Sequence, residues 1–276
     1  MPFLAVLTRC KDEFFAKEFC QYYISQGVDH IYIIDDDSSN KSIYNGIKSA
    51  QVTIYFDKNI IQNDSANAIY SEIKDKFEWI IYVDMDEFIC TNASSNLNIA
   101  EIIKHDFYSA DCIKIPWVMM ACNDRLSNPS RILTENIYRW NHDLKHPNKI
   151  HKFRCRHKEI EVKCIFRPKK FNKIWDHHPL DPSAAKIKIV NSINLEEELL
   201  TPFYQELREE HILNGKLLCY HYRIISKENS ANKIKTNYWY IKNKYTVEDL
   251  HSSDHPEKID TTLRSRAQDL NIYHNF

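Results

Sequence analysis

Glycine is scarce in this chain: three residues in 276, at Gly27, Gly46 and Gly215. Both a P-loop and the glycine-rich dinucleotide turn need several glycines in one short loop, so that the backbone can approach a phosphate closely; both are excluded. Any nucleotide bound here is held by another device. An excess of basic charge is also missing. The 37 Lys and Arg against 38 Asp and Glu leave a net charge of −1, which argues against a nucleic-acid partner. No apolar run approaches the roughly 20 residues that span a bilayer. The five apolar residues Phe3 to Leu7 are too few for a signal peptide. The expectation is a cytoplasmic protein without a transmembrane segment. Eight cysteines are scattered at positions 10, 20, 90, 112, 122, 155, 164 and 219, no two of them at zinc-ligand spacing. They read as reduced thiols, mostly buried.

What is present is an alternation of strand and helix. Phe3–Leu7 reads as a strand. Asp12 to Gln26 follows as a helix, with Phe15, Phe19, Tyr22 and Tyr23 on one face and Gly27 just past its end. His30–Ile34 is a second strand, cut off by Asp35-Asp36-Asp37, and Ser38 or Ser39 suits the N-cap of a helix through Ile43 and Ile47. Val52–Phe56 is a third strand, and Asp64 suits the cap of a helix carrying Ile69, Ile73 and Phe77. Trp79 to Val83 is a fourth strand, apolar enough to be covered on both faces. The pattern predicts an α/β fold: a mostly parallel central sheet with right-handed crossovers, flanked by helices. From Cys112 onward the pieces are shorter and less regular. With no linker, repeat or composition break, residues 1–276 read as one domain, a nucleotide-binding half over about 1–110 and an irregular acceptor half over about 111–276.

The fourth strand runs into Asp84-Met85-Asp86-Glu87. Side chains two apart on a strand share a face, which sets the Asp84 and Asp86 carboxylates roughly 6–7 Å apart. Two such charges repel unless a cation joins them, and a hard divalent ion such as Mg²⁺ or Mn²⁺ takes oxygen ligands and shares them with phosphates. Alternatively both acids simply end a strand and cap the next turn. In α/β sheets ligands gather at the carboxyl ends of strands, so two further clusters qualify. Thr8 and Arg9, after the first strand, suit contact with a base or phosphate, or form an ordinary polar loop. Asp35 or Asp36, after the second, suits a uracil or guanine N–H or a ribose hydroxyl, or caps a helix. Late in the chain His221 sits inside the apolar run Leu217 to Ile225, either a hydrogen-bonded structural histidine or a ligand. Ser226 starts a helix bearing Lys227, Lys233 and Lys235, which closes over a diphosphate or is a solvated face. Trp175-Asp176-His177-His178-Pro179 suits a sugar pocket, with acid or imidazole as a base.

Taken in order, several stretches resemble the GT-A type of glycosyltransferase, in the branch around glycosyltransferase family 92 and related family-2-like proteins. They are Arg9-Cys10-Lys11-Asp12-Glu13, Gly27 to Asp35 with Ser38, Val83 to Phe88, Ile115-Pro116-Trp117, Lys163 to Pro168, His177-His178-Pro179, and His221 to Ser226 with Lys233 beyond. The resemblance implies a nucleotide-sugar donor, a UDP-sugar above all, and a glycan or other hydroxyl-bearing acceptor. It implies Asp86 as principal metal ligand, Asp84 touching ribose or metal, and His221 as third ligand, a set that favours Mn²⁺ somewhat over Mg²⁺. Lys233 and the ion would steady the departing diphosphate. If the sugar inverts, Asp176, with His177 as second choice, would take the acceptor's proton. One departure lies after the Trp117 strand, where Met119 to Asp124 replace a small glycine-containing turn, which bears on the acceptor. Two other classes fit less well. A phosphohydrolase of haloacid-dehalogenase type carries Asp-x-Asp after its first strand, followed by Thr or Val; here it follows about the fourth and Glu87 comes next. A catalytically silent sugar-binding protein has no need of Asp84, Asp86 and His221 together.

Overall fold

The computed structural model describes residues 1–57, 62–145, 155–156, 159–205 and 208–273. Its first half follows the strand–helix alternation. Strand β1 (Leu4–Cys10) pairs in parallel with β2 (His30–Asp36) and with β4 (Trp79–Asp84), and β2 pairs in parallel with β3 (Val52–Asp57). Each face of this sheet has its own core. Helix α1 (Ala16–Ser25) sets Phe19, Tyr22 and Tyr23 with Val6, Ile33 and Ile81 on one side. Helix α2 (Gln62–Ile73) sets Ala66, Ile69, Tyr70 and Ile73 with Ala5, Leu7 and Tyr82 on the other. The two-residue period of the strands makes this division, and each large side chain so buried stabilises the fold by about 1.5–3 kcal/mol.

Helix α1 starts at Ala16, four residues later than the apolar pattern indicated, because Asp12 is held in a left-handed turn (φ 55°). Its backbone N–H donates to Ser38 Oγ (2.9 Å), and its carboxylate accepts from Ser39 Oγ (3.0 Å) and Asn40 N–H (3.1 Å). With both serines occupied, the helix expected through Ile47 shrinks to a single 3₁₀ turn over Lys41–Tyr44, capped by Asn40. Gly27, just past α1, has φ 81°, and a Cβ there would lie 2.8 Å from the Ala100 Cβ. Helix α3 (Ile99–Asp106), opened by an Asn98–Glu101 capping box, thus docks closely on the end of α1.

The second half alters the sheet. Strands β5 (Glu87–Thr91) and β6 (Cys112–Ala121) are buried at every residue. Strand β7 (Glu159–Phe166) enters antiparallel between β4 and β6, and β8 (Leu217–His221) lies parallel to β6 and antiparallel to β5. The central sheet is therefore parallel through its first four strands and mixed beyond them; no crossover helix is needed where a strand returns antiparallel. Helices α4 (Lys227–Thr236), α5 (Tyr238–Lys242), α6 (Val247–His251) and α7 (Thr262–Asp269) complete the chain. Ser226 caps α4 by accepting from Asn229 N–H at 2.9 Å, at the start its sequence indicated. Cys10, Cys20, Cys90, Cys112, Cys122, Cys164 and Cys219 are buried free thiols, and the Cys155 side chain lies outside the described residues. No helix among the described residues is long and apolar enough to cross a membrane.

Candidate active site

The strand register assembles one cavity of about 230 Å³ at the carboxyl ends of β1 and β4. Arg9 is the direct neighbour of Asp84 across the β1–β4 ladder, and His221 is the direct neighbour of Glu87 across β5 and β8. Helix α4 brings Lys233 from above, and the turn joining strands Phe171–Ile174 and Pro179–Pro182 brings Asp176 and His177 from the side. Arg9, Asp36, Asp84, Asp86, Asp176, His177, His221 and Lys233 all line it. Asp84 and Asp86 do not share a strand face, however. Strand β4 ends at Asp84, and Met85-Asp86 form the turn into β5.

Each acid has a separate cation. Lys163, on β7, sets its Nζ 3.0 Å from Asp84 Oδ2 and 3.1 Å from Glu87 Oε2, and donates to the Asp176 carbonyl at 2.6 Å. Arg9 Nη2 bridges Asp84 Oδ1 (3.8 Å) and Asp176 Oδ1 (3.7 Å). Lys233 Nζ stands 2.6 Å from Asp86 Oδ2 and 3.4 Å from Glu13 Oε1, and His221 Nε2 is 3.5 Å from Asp86 Oδ1. Burial raises the energy of a charge in every case, so each protonation state depends on whether the partners outweigh it. For Asp86, Lys233 and then His221 outweigh burial and hold the carboxyl far below its usual range. For Asp84, Lys163 and then Arg9 outweigh burial and lower the carboxyl. Burial wins at Glu13, pushed up to about 7 despite Lys233, and at Glu87, raised well above the ordinary carboxyl value. Burial, then Lys163, lowers His177 to about 4, so its imidazole is neutral; Nδ1 lies 3.1 Å from the Val162 carbonyl and donates to it, which leaves Nε2 a lone pair.

Two of the residues singled out from the sequence lie elsewhere. Thr8 is fully buried within β1, since that strand continues through Cys10, and its hydroxyl donates to the Arg9 carbonyl (3.4 Å). Asp35 is buried too: its carboxylate accepts from Tyr44 Oη (2.6 Å) and Ser38 N–H (3.3 Å) and pairs with Lys41. Asp36, the next residue on β2, points the other way, into the cavity.

Lys163, Glu13, Trp117, Arg223, Trp239 and Tyr240 join the site without having been assigned a role. Lys163 carried a signal, because a charge amid Val162, Cys164, Ile165 and Phe166 requires a buried partner. Lys114 carries the same signal and is structural: its Nζ donates to Glu197 (2.6 Å), Thr201 and the Phe203 carbonyl (both 3.2 Å). Position in the sheet alone separates the two lysines.

Asp86 Oδ1 and His221 Nε2, 3.5 Å apart, stand at a separation two ligands of one ion can adopt; among the described residues no third histidine, cysteine or carboxylate ligand atom joins them within 4.8 Å. Asp84, 41% exposed at its side chain, adjoins them across the turn.

The family model for glycosyltransferase family 92 matches residues 69–267. No curated protein matches the chain. Among solved structures, HddC from Yersinia pseudotuberculosis is similar with a TM-score of 0.39 and 11% identity, over 69% of this chain and 90% of that one. A 4-diphosphocytidyl-2C-methyl-D-erythritol synthase is similar with a TM-score of 0.36 and 8% identity, over 62% and 78%. The corresponding synthase from Anaerococcus prevotii has a TM-score of 0.32 and 8% identity, over 61% and 71%.

Proposed function

Because the chain belongs to glycosyltransferase family 92, it is a glycosyltransferase, and we propose that it moves a sugar from a UDP-sugar to a hydroxyl of a glycan or similar acceptor, with inversion. The observation that carries this reading is Asp86, held between Lys233 (2.6 Å) and His221 (3.5 Å) in a cavity at the carboxyl end of β4. Asp86 and His221, with Asp84 beside them, would hold Mn²⁺ or Mg²⁺, which when bound supplies Lewis-acid stabilisation to a departing diphosphate. Lys233 and Arg9 contribute fixed positive charge to the same oxygens, in a site with no glycine-rich cradle. Asp36 is available to a ribose or base of the donor.

On the acceptor side, Trp117, Trp239 and Tyr240 line the cavity as aromatic surface that a sugar would meet. The Asp176 carboxylate accepts the acceptor hydroxyl's proton as that oxygen bonds to the anomeric carbon. The bond from that carbon to the donor phosphate breaks, and its electron pair leaves with UDP. Arg9 Nη2, 3.7 Å from Asp176 Oδ1, aims that carboxylate, and His177, whose Nε2 stands 4.0 Å from Glu161 Oε1, is the alternative base. A retaining course would need a nucleophile on the opposite sugar face and no such base.

A thermal-shift comparison tests the reading. UDP is expected to raise the melting temperature only when Mn²⁺ is supplied, and Asp86→Ala to abolish that rise. Equal stabilisation by UDP in EDTA would overturn the metal assignment.

A further inference from the structure

Away from the cavity, the end of β6 meets the C-terminal helices at a second group of ligand-bearing side chains. Cys122 follows β6 directly, His251 ends α6, and Asp254 lies three residues beyond. One ligand atom from each lies within 4.8 Å of the other two. Asp254 is already fixed by the chain it faces: Oδ1 accepts from Cys122 N–H (2.7 Å), and Oδ2 from Asp124 N–H (3.0 Å) and the Cys122 thiol (3.3 Å). Asn123 and Asp124 both adopt left-handed backbone (φ 53° and 58°), the conformation that turns those N–H groups toward Asp254.

The histidine is oriented by its neighbours as well. Ser230 Oγ donates to the Ser226 carbonyl (2.9 Å), so toward His251 Nε2, 3.0 Å away, it acts as acceptor. Nε2 therefore carries the proton and Nδ1 the lone pair, and Nδ1 is buried without a hydrogen-bond partner. An acceptor behind one ring nitrogen fixes the tautomer and orients the ring, as carboxylates, carbonyls and waters do behind metal-bound imidazoles, and here the Ser230 hydroxyl fills that place.

We propose that Cys122, His251 and Asp254 form a second metal site, for a borderline divalent ion of the Zn²⁺ class, with a fourth position open to water or to Asp124. One sulfur, one imidazole nitrogen and one carboxylate oxygen favour Zn²⁺ over Mg²⁺ or Ca²⁺. On binding, the Cys122 S–H bond breaks, its proton passes to solvent, and a sulfur–metal bond forms; no redox partner is required. Asp254 Oδ2, which had accepted that proton's hydrogen bond, turns to the ion. The site would staple α6 to β6. Since α6 holds Ser230 of α4 through His251, and α4 caps onto the same loop (Lys227 N–H to Arg125 carbonyl, 2.9 Å), the staple also fixes the helix that carries Lys233.

The experiment is a Co²⁺ titration of the full chain after stripping with EDTA. A thiolate-to-cobalt charge-transfer band in the near ultraviolet is expected to saturate at one equivalent, release one proton per ion and vanish on adding Zn²⁺. Cys10 lines the Asp86 cavity, so it is the loss of the band in Cys122→Ser that assigns it to Cys122, whatever becomes of the proposed donor chemistry. Cys122→Ser keeps a hydroxyl for Asp254 and should stay folded without the band. Ser230→Ala, which frees the His251 ring, should weaken Co²⁺ binding by about tenfold or more. A wild-type protein with no band at stoichiometric Co²⁺, or a band that survives in Cys122→Ser, overturns the proposal.

Discussion

The pair formed by Asp86 and Lys233 is the contact on which the site's electrostatics turn, and a double-mutant cycle measures it. The two groups are 2.6 Å apart with side chains only 13% and 6% exposed. Removing one member of so buried a pair strands the other, a loss of roughly 3–5 kcal/mol. Asp86→Asn should fall at or just below the lower end, at about 2–3 kcal/mol, because Glu13 remains 3.4 Å from Lys233. Lys233→Met leaves the Asp86 charge facing only His221, and should cost about 3 kcal/mol. In the double variant neither charge is stranded, so the combined loss should fall short of the sum by about 2 kcal/mol or more. Equilibrium urea unfolding at pH 7.5 gives all four values, with the m-value as a check that the unfolded states are alike. Additivity within about 0.5 kcal/mol would refute the pairing in solution. The cycle should also flatten in acid. Asp86 is held far below its ordinary 3.8, so its contribution is present above that value and declines as pH falls beneath it.

Glu13, raised from 4.5 to about 7, disfavours the folded state as it ionises, so stability should drop as pH rises through that window, by on the order of 3 kcal/mol; Glu13→Gln should remove the slope in pH-dependent unfolding. Asp176→Asn is expected to lower kcat about 10²–10⁴-fold while UDP binding by calorimetry holds steady, whereas a loss of donor affinity would place Asp176 on the donor side instead. Asp35→Asn should cost about 1–3 kcal/mol of stability through the Tyr44 and Ser38 bonds and leave UDP affinity unchanged; weaker UDP binding with intact stability would return Asp35 to the donor site.

The alternation of short apolar runs with amphipathic stretches was sufficient to place the first four strands and the two helices that cover them. Period and burial are local properties of a sequence, and β1, β2, β3 and β4 appear within a few residues of where they were expected. Boundaries fared less well where a side chain acted at long range. Asp12 draws Ser38, Ser39 and Asn40 onto itself, which delays α1 and dissolves the helix after β2. Nothing near Asp12 in the chain announces that.

The site divides along the same line. Acids closing an apolar strand, an imidazole inside a later one and a lysine on the helix that follows were all legible from residue type and spacing. Which of Asp35 and Asp36 meets the cavity was not, because it depends on the face each presents after β2 pairs with its neighbours. Lys163 and Lys114 look alike in sequence and differ only in what the sheet sets beside them, a pair of acids at the mouth of β4 or the Glu197 carboxylate of a short strand at the far edge. Residue chemistry and local period are written along the chain. The partner of a buried charge, and so its protonation and its use, is decided where strands 70 or more residues apart are brought within 3 Å.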